Sequence, residues 1–282
     1  MKYGIWRHED ALGNSAEQCV NLSNFIQKNR DTDPKIYVES SFQKYFSMCI
    51  PGVEEEDVFF FDKQKYDLDH FNVKFKHYTE LHDIIMPDVY FGGECKNYPS
   101  IWANLKDIEY YLKFPHEKYN KKIEINKPFI LMQFREGKTY WKRVDGDNCE
   151  PERNVNKETF FNLALHYANK GITVVRIGDS KQTEMPMHSN IIDFAKVNDK
   201  TMLDDLYLLD TCKLFISTDS GIWPMAGGLR KNMVLSNVVS GANKPAIVDW
   251  LNTKTTKVIF KRFKREDNTL NQLIDACEGF LY

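Results

Sequence analysis

The residues best suited to chemistry form one short run, Ser217-Thr218-Asp219-Ser220-Gly221. An apolar stretch at 213–217 reads as a strand leading into it, and 225–229 reads as a helix leaving it. A strand, a hydroxyl-rich turn and a helix bring backbone N–H groups and side-chain hydroxyls to a helix N-terminus, where an anion is stabilised. Gly221, lacking a Cβ, lets a phosphate come close to the backbone. The same residue types also serve as ordinary helix caps. The run is not a P-loop, because GxxxxGK followed by Ser or Thr occurs nowhere in the chain. The GxGxxG fingerprint is missing as well, which speaks against ordinary dinucleotide binding.

Three more strand ends carry polar turns: Gln133-Phe134-Arg135-Glu136-Gly137, Arg176-Ile177-Gly178-Asp179 and Asp193-Phe194-Ala195-Lys196. Ligands of open α/β sheets bind beyond the carboxyl ends of the strands, so these turns and the hydroxyl-rich run are expected on one side of a ligand cleft. Arg135 and Arg176 each offer a planar fork that grips phosphate or carboxylate in two places. Each is equally read as a salt bridge to Glu136 or Asp179. Near the start of the chain, His8, Glu9 and Asp10 stand beside Gly13-Asn14-Ser15. One of the three could act as a general base toward a hydroxyl; the alternative is helix capping and surface charge. His70, His77 and His82 have no partners at metal-ligand spacing, and Asp204-Asp205 suits the start of a helix better than a metal. No metal site is expected.

Such groups need a frame, and the hydrophobic pattern supplies one. Residues 3–6 read as a strand, and Cys19, Leu22, Phe25 and Ile26 predict an amphipathic helix capped by Asn14 or Ser15. Strands are expected at 35–38, 57–61 and 89–91. The charged stretch 115–127 reads as a linker, after which the pattern restarts. Strands follow at 128–134, 172–177, 190–194, 213–217 and 233–236, with helices at 157–169, closed by Lys170-Gly171, and at 201–211. Two βαβ sets imply an α/β protein of two Rossmann-like domains, 1–122 and 123–282, whose parallel sheets face one another across a cleft. A return of the C-terminal segment to the first domain stays open.

The chain has 282 residues, 42% apolar and 28% charged, which is globular composition and excludes a disordered or fibrous chain. With 38 basic and 40 acidic residues the net charge is −2, so nucleic-acid binding would need a local patch. The run from Lys254 to Arg265 is the one candidate for DNA, with a solvated face as its plain alternative. Six cysteines without a CxxC pair read as free thiols in a reducing, cytoplasmic setting. No apolar stretch is long enough for a transmembrane segment.

The run from Cys212 to Ser236, with its strand, Thr-Asp-Ser-Gly turn and small-residue helix, resembles the signature of glycosyltransferase family 9, the heptosyltransferase-like enzymes. The strand-end series QFRE, RIGD, IIDFA and TDSG is also similar to a group of bacterial glycosyltransferases. The resemblance implies a GT-B fold and transfer of a sugar from a nucleotide-sugar to a hydroxyl. The nucleotide-sugar is a co-substrate, and no cofactor or metal is implied. The acceptor would be a surface or lipid-linked glycan, as in polysaccharide biosynthesis, with inverting chemistry. By the same resemblance Thr218, Asp219, Ser220 and Gly221 hold the donor pyrophosphate, Arg135 and Arg176 neutralise it, and Gly178 and Asp179 belong to the donor side. The chain departs from the family in three places. Ile222-Trp223-Pro224-Met225 stands where the family has a His, Gln133 stands where the related bacterial group has a His, and Asn14 follows Leu12-Gly13 where heptosyltransferases carry the catalytic Asp. The base is then sought among Asp10, Glu9 and His8. The alternatives are transfer to a hydroxylated base in phage-type DNA, a non-catalytic nucleotide- or glycan-binding module, and a Rossmann oxidoreductase.

Overall fold

A computed structural model describes residues 2–5, 12–38, 40–60, 89–91, 112–120, 123–125, 128–136, 154–218, 221–237, 256–258 and 268–281. The chain divides into two compact units, Met1–Tyr119 and Asn120–Tyr282, and the division falls within the charged stretch 115–127.

The first unit carries a parallel sheet of β1 (Lys2–Ile5), β2 (Lys35–Val38), β3 (Val58–Phe60) and β4 (Val89–Phe91) in the order β3-β2-β1-β4. Helix α1 (Leu12–Lys28) connects β1 to β2, and α2 (Ser41–Ser47) follows β2. Their stripes of buried residues, Cys19, Leu22 and Ile26 on α1 and Phe46 on α2, lie in the core. Helix α1 starts at Leu12, ahead of the expected caps Asn14 and Ser15. The reason is tertiary: Ser15 is buried, and its hydroxyl accepts from Gln43 Nε2 of α2 at 3.1 Å. Its oxygen joins two helices instead of closing one.

In the second unit, six parallel strands run β10-β9-β8-β5-β6-β7. They are β5 (Phe129–Gln133), β6 (Thr173–Arg176), β7 (Ile191–Asp193), β8 (Leu214–Thr218), β9 (Met233–Ser236) and β10 (Thr256–Val258). Every residue of β5, β8 and β9 is buried, as expected for central strands covered on both faces. Helix α3 (Lys157–Asn169) is capped by Asn156, whose side chain accepts from Glu158 N–H at 3.0 Å. It ends where Gly171 adopts φ +80°, which lets Ile172 N–H return to the Tyr167 carbonyl at 3.0 Å. Helix α4 (Met202–Thr211) starts with Asp204 accepting from both the Thr201 N–H and its hydroxyl, at 2.6 and 2.8 Å. Helix α5 (Trp223–Gly228) begins two residues before the expected start, with Pro224 in its first turn, where a missing N–H costs nothing.

The C-terminal helix α6 (Leu270–Leu281) belongs to the second unit and does not return to the first. Leu273, Ala276, Cys277 and Leu281 join a core with Phe160, Leu163, Tyr167, Leu214 and Val234. Lys213 Nζ closes the helix by donating to the Leu281 carbonyl at 2.6 Å, placing a cation at the negative end of the helix dipole. Cys19, Cys49, Cys212 and Cys277 are buried thiols outside any disulfide. Burial pushes the Cys212 thiol up to about 12, which leaves it protonated and unreactive. Among the described residues no helix is long and apolar enough to cross a membrane.

Candidate functional site

The strand order locates the site. In the second sheet the chain builds β5, β6 and β7 outward in one direction, then crosses back through α4 to lay β8 on the other side of β5. Between β5 and β8 the winding reverses, the position at which open α/β sheets bind their ligands. The register pairs Gln133 with Ser217. The next residues along the two strands are therefore Phe134-Arg135-Glu136 on one side and Thr218 on the other. Arg135 and the strand end Ser217-Thr218, far apart in sequence, are brought to one end of the sheet.

Thr218 is the last residue of β8, fully buried, and its register partner on β9 is Ser236. Asp219 and Ser220 lie outside the described residues. Gly221 follows in a turn with φ +62°, a conformation that favours glycine. The turn does not sit directly on a helix: α5 begins only at Trp223 and has six residues. With so few aligned peptide units, α5 offers little helix dipole to an anion, and the Ser217 hydroxyl is donated to the Thr218 carbonyl at 3.0 Å. Next to it, at the end of β9, Ser236 Oγ donates to Asn237 Oδ1 at 2.8 Å, and Asn268 Nδ2 donates to Ser236 Oγ at 2.7 Å. Asn237 Nδ2 then donates to the Asn154 carbonyl at 3.0 Å. These asparagines escaped sequence reasoning, since each lies in a loop with no motif around it.

Arg135 is buried, and its carbonyl accepts from Val155 N–H at 3.0 Å. Arg176 is placed differently from the expectation that it meets a donor phosphate. It is completely buried, and its Nε and Nη2 donate to the two carboxylate oxygens of Asp193 at 2.7 and 2.6 Å. Arg176 and Asp193 are register partners on β6 and β7, and Glu136 lies 3.9 Å from the guanidinium. Neither Asp179 nor a solvent-facing anion is its partner; its Nε–Nη2 edge is spent on Asp193 inside the unit. The guanidinium also sits 5.8 Å from the centroid of the Phe134 ring.

Gly178 and Asp179 begin the loop after β6. Gly178 has φ +141°, and a Cβ there would meet Gln182 Oε1 at 2.3 Å. The backbone conformation favours glycine here whatever ligand the loop faces, and the Gln182 tip fills the space beside it. Asp179 is exposed, and its carboxylate accepts from Lys181 N–H at 2.8 Å, a local turn. Lys200 Nζ donates to the Gly178 carbonyl at 2.8 Å and to Asp205 at 3.2 Å.

Burial raises the Asp205 carboxyl to about 6, partly offset by Lys200. An unfolded Asp ionises near ~3.9, so between those values the folded state holds a proton that the unfolded chain has shed. The stability contributed by that proton is fully present below about pH 4 and is lost as pH rises through about 6. Asp205→Asn should remove this slope. Urea titrations at pH 4 and pH 7 should show the wild type losing ~1–3 kcal/mol more than the variant over that interval.

In the first unit the order β3-β2-β1-β4 puts the reversal between β1 and β4. His8, Glu9 and Asp10 fall between the end of β1 at Ile5 and the start of α1 at Leu12, and lie outside the described residues. Of the basic run, only the part in β10 is described; Lys254 and Lys261 to Arg265 lie outside. Among the described residues no group of three or more His, Cys, Asp or Glu could hold a metal ion.

The architecture is that of the GT-B fold, and solved structures share it along nearly the whole chain. E. coli heptosyltransferase WaaC with ADP aligns over 99% of this chain and 97% of its own, at 11% identity and a TM-score of 0.57. E. coli ADP-heptose lps heptosyltransferase II aligns over 99% and 98%, at 14% identity and a TM-score of 0.57. The glycosyl transferase family 9 protein from Veillonella parvula DSM 2008 covers 99% and 96%, at 11% identity and a TM-score of 0.53. At such identities what is shared is the fold. No family model matches the sequence, and no curated protein matches it.

Proposed function

We propose that this protein is a glycosyltransferase that moves a sugar from a nucleoside-diphosphate sugar to a hydroxyl of a surface or lipid-linked glycan. One observation carries the reading: the β5–β8 reversal brings Arg135 together with the strand end at Thr218. The WaaC structure with ADP and the ADP-heptose enzyme share the fold, which supports an ADP-linked donor. In this reading the acceptor oxygen attacks the anomeric carbon as the bond from that carbon to the phosphate oxygen breaks. The configuration inverts, and the acceptor proton passes to Asp10, Glu9 or His8. Negative charge grows on the leaving diphosphate, where Arg135 and the groups of Thr218, Asp219, Ser220 and Gly221 stabilise it. Charge neutralisation by the protein makes turnover independent of a divalent ion, so activity should survive EDTA.

A thermal-shift panel with ADP, UDP, GDP, CMP and NAD tests the donor site. A ligand at 100 times its Kd stabilises by about 2.7 kcal/mol. A shift with ADP alone is the expected result. Slow release of ADP from an ADP-sugar would separate an enzyme from a non-catalytic binder, which leaves the sugar nucleotide intact. No shift with any diphosphate, or a shift with NAD only, would sink the proposal.

A further inference from the structure

Three consecutive residues after β5 are each held by a different partner. The Phe134 carbonyl accepts from Gln182 Nε2 at 2.5 Å, and the Arg135 carbonyl accepts from Val155 N–H at 3.0 Å. Glu136 Oε2 accepts from both the N–H and the hydroxyl of Thr183, at 3.2 and 2.8 Å. Two of these three ties come from one loop, the connection between β6 and β7. That loop is itself fastened from below: Lys196 Nζ donates to the Ser180 and Gln182 carbonyls at 2.6 and 2.5 Å. Asp193 Oδ2, already holding Arg176, accepts from Met185 N–H at 3.0 Å. Gly178 leaves room for the Gln182 side chain to cross toward Phe134.

A strand that has just left its sheet has lost its ladder partners, and its backbone is free to move unless other groups take up its carbonyls. Here Gln182 takes up the carbonyl just before Arg135, Val155 takes up that of Arg135 itself, and Thr183 holds the side chain of the residue just after it. We infer that Gln182 and Thr183 are positioning residues: they clamp Phe134 and Glu136 so that Arg135 is presented in one fixed geometry to the donor diphosphate. The inference rests on the reading of Arg135 as the cation of the donor site. A fixed guanidinium binds a diphosphate more tightly than a mobile one, because the ordering cost is met during folding and not on binding. The clamp acts through Arg135 and touches no substrate.

The test uses the full-length protein with Gln182→Met and Thr183→Val combined, a change that removes two donors and leaves the Arg176–Asp193 pair intact. Hydrogen exchange of the peptide spanning 129–136 reads the clamp without any ligand, and ADP titration calorimetry reads its consequence. The expected result is faster exchange at 134–136 and a Kd for ADP raised about tenfold, equivalent to ~1.4 kcal/mol. That loss should disappear when the same pair is changed in an Arg135→Ala background, and Thr183→Ser should restore what Thr183→Val loses. Unchanged exchange at 134–136, or an equal loss of affinity with and without Arg135, would overturn the inference. A lowered Tm with unchanged Kd would do the same, since it would reduce the loop to a structural part. A wild type that binds no diphosphate overturns the donor-site reading first and the positioning role with it, an outcome distinct from all of these.

Discussion

Asp193→Ala is expected to destabilise the second unit by about 3–5 kcal/mol, the usual cost of removing one partner from a buried ion pair. Arg176 has no exposure to solvent, and two of its nitrogens rest on the Asp193 oxygens at 2.7 and 2.6 Å. Without that carboxylate the nearest anion left to the cation among the described residues is Glu136, 3.9 Å away, and Met185 N–H loses its acceptor. Urea unfolding followed by tryptophan fluorescence should show the midpoint falling by ~1–3 M at an ordinary slope. The pair need not stabilise the unit relative to apolar residues, since bringing two charges out of water is costly. Arg176→Met together with Asp193→Leu should therefore recover much of the loss. A midpoint shift below ~0.3 M for Asp193→Ala would mean that Arg176 is not committed to Asp193 in solution.

Arg135→Ala is expected to weaken ADP binding by about 2–5 kcal/mol, or ~30-fold to several thousand-fold in Kd. The size follows from the proposed donor site: Arg135 is buried, and a guanidinium that meets phosphate in such a setting does so without competing water. Arg135→Lys separates charge from shape: it keeps the cation and loses the planar fork, so its affinity should fall between those of the wild type and the alanine variant. Calorimetry with ADP on all three proteins, with circular dichroism to confirm that each is folded, makes the comparison. Equal affinity for the wild type and Arg135→Ala would remove Arg135 from the donor site.

Much of the frame was legible because local pattern and local structure coincide. The helix expected at 157–169 spans Lys157–Asn169, since its apolar stripe, its Asn156 cap and the glycine at 171 are all encoded within one stretch of chain. The strand at 128–134 was equally plain, a continuous apolar run that only a doubly covered sheet can bury. Misreadings arose where a residue's partner was remote. Ser15 has the chemistry of a cap, yet Gln43 of the next helix claims its hydroxyl. Arg176 has the chemistry of a phosphate ligand, yet Asp193 on the adjacent strand takes its Nε–Nη2 edge. Gly178 belongs to the donor side by resemblance, but the group beside it is Gln182.

By itself, then, the sequence determined which segments become strands and helices, that two α/β units follow one another, and that polar turns end the strands of the second. These follow from hydrophobic period, turn residues and caps, all interactions between near neighbours in the chain. Tertiary structure alone decided which turns meet. Strand order and register set Gln133 opposite Ser217, so Arg135 and Thr218 share one end of the sheet. Register likewise set Arg176 opposite Asp193 and withdrew that arginine from the surface. A side chain's chemistry is written in its own residue, but whether it faces a ligand or a carboxylate depends on which strand lies alongside.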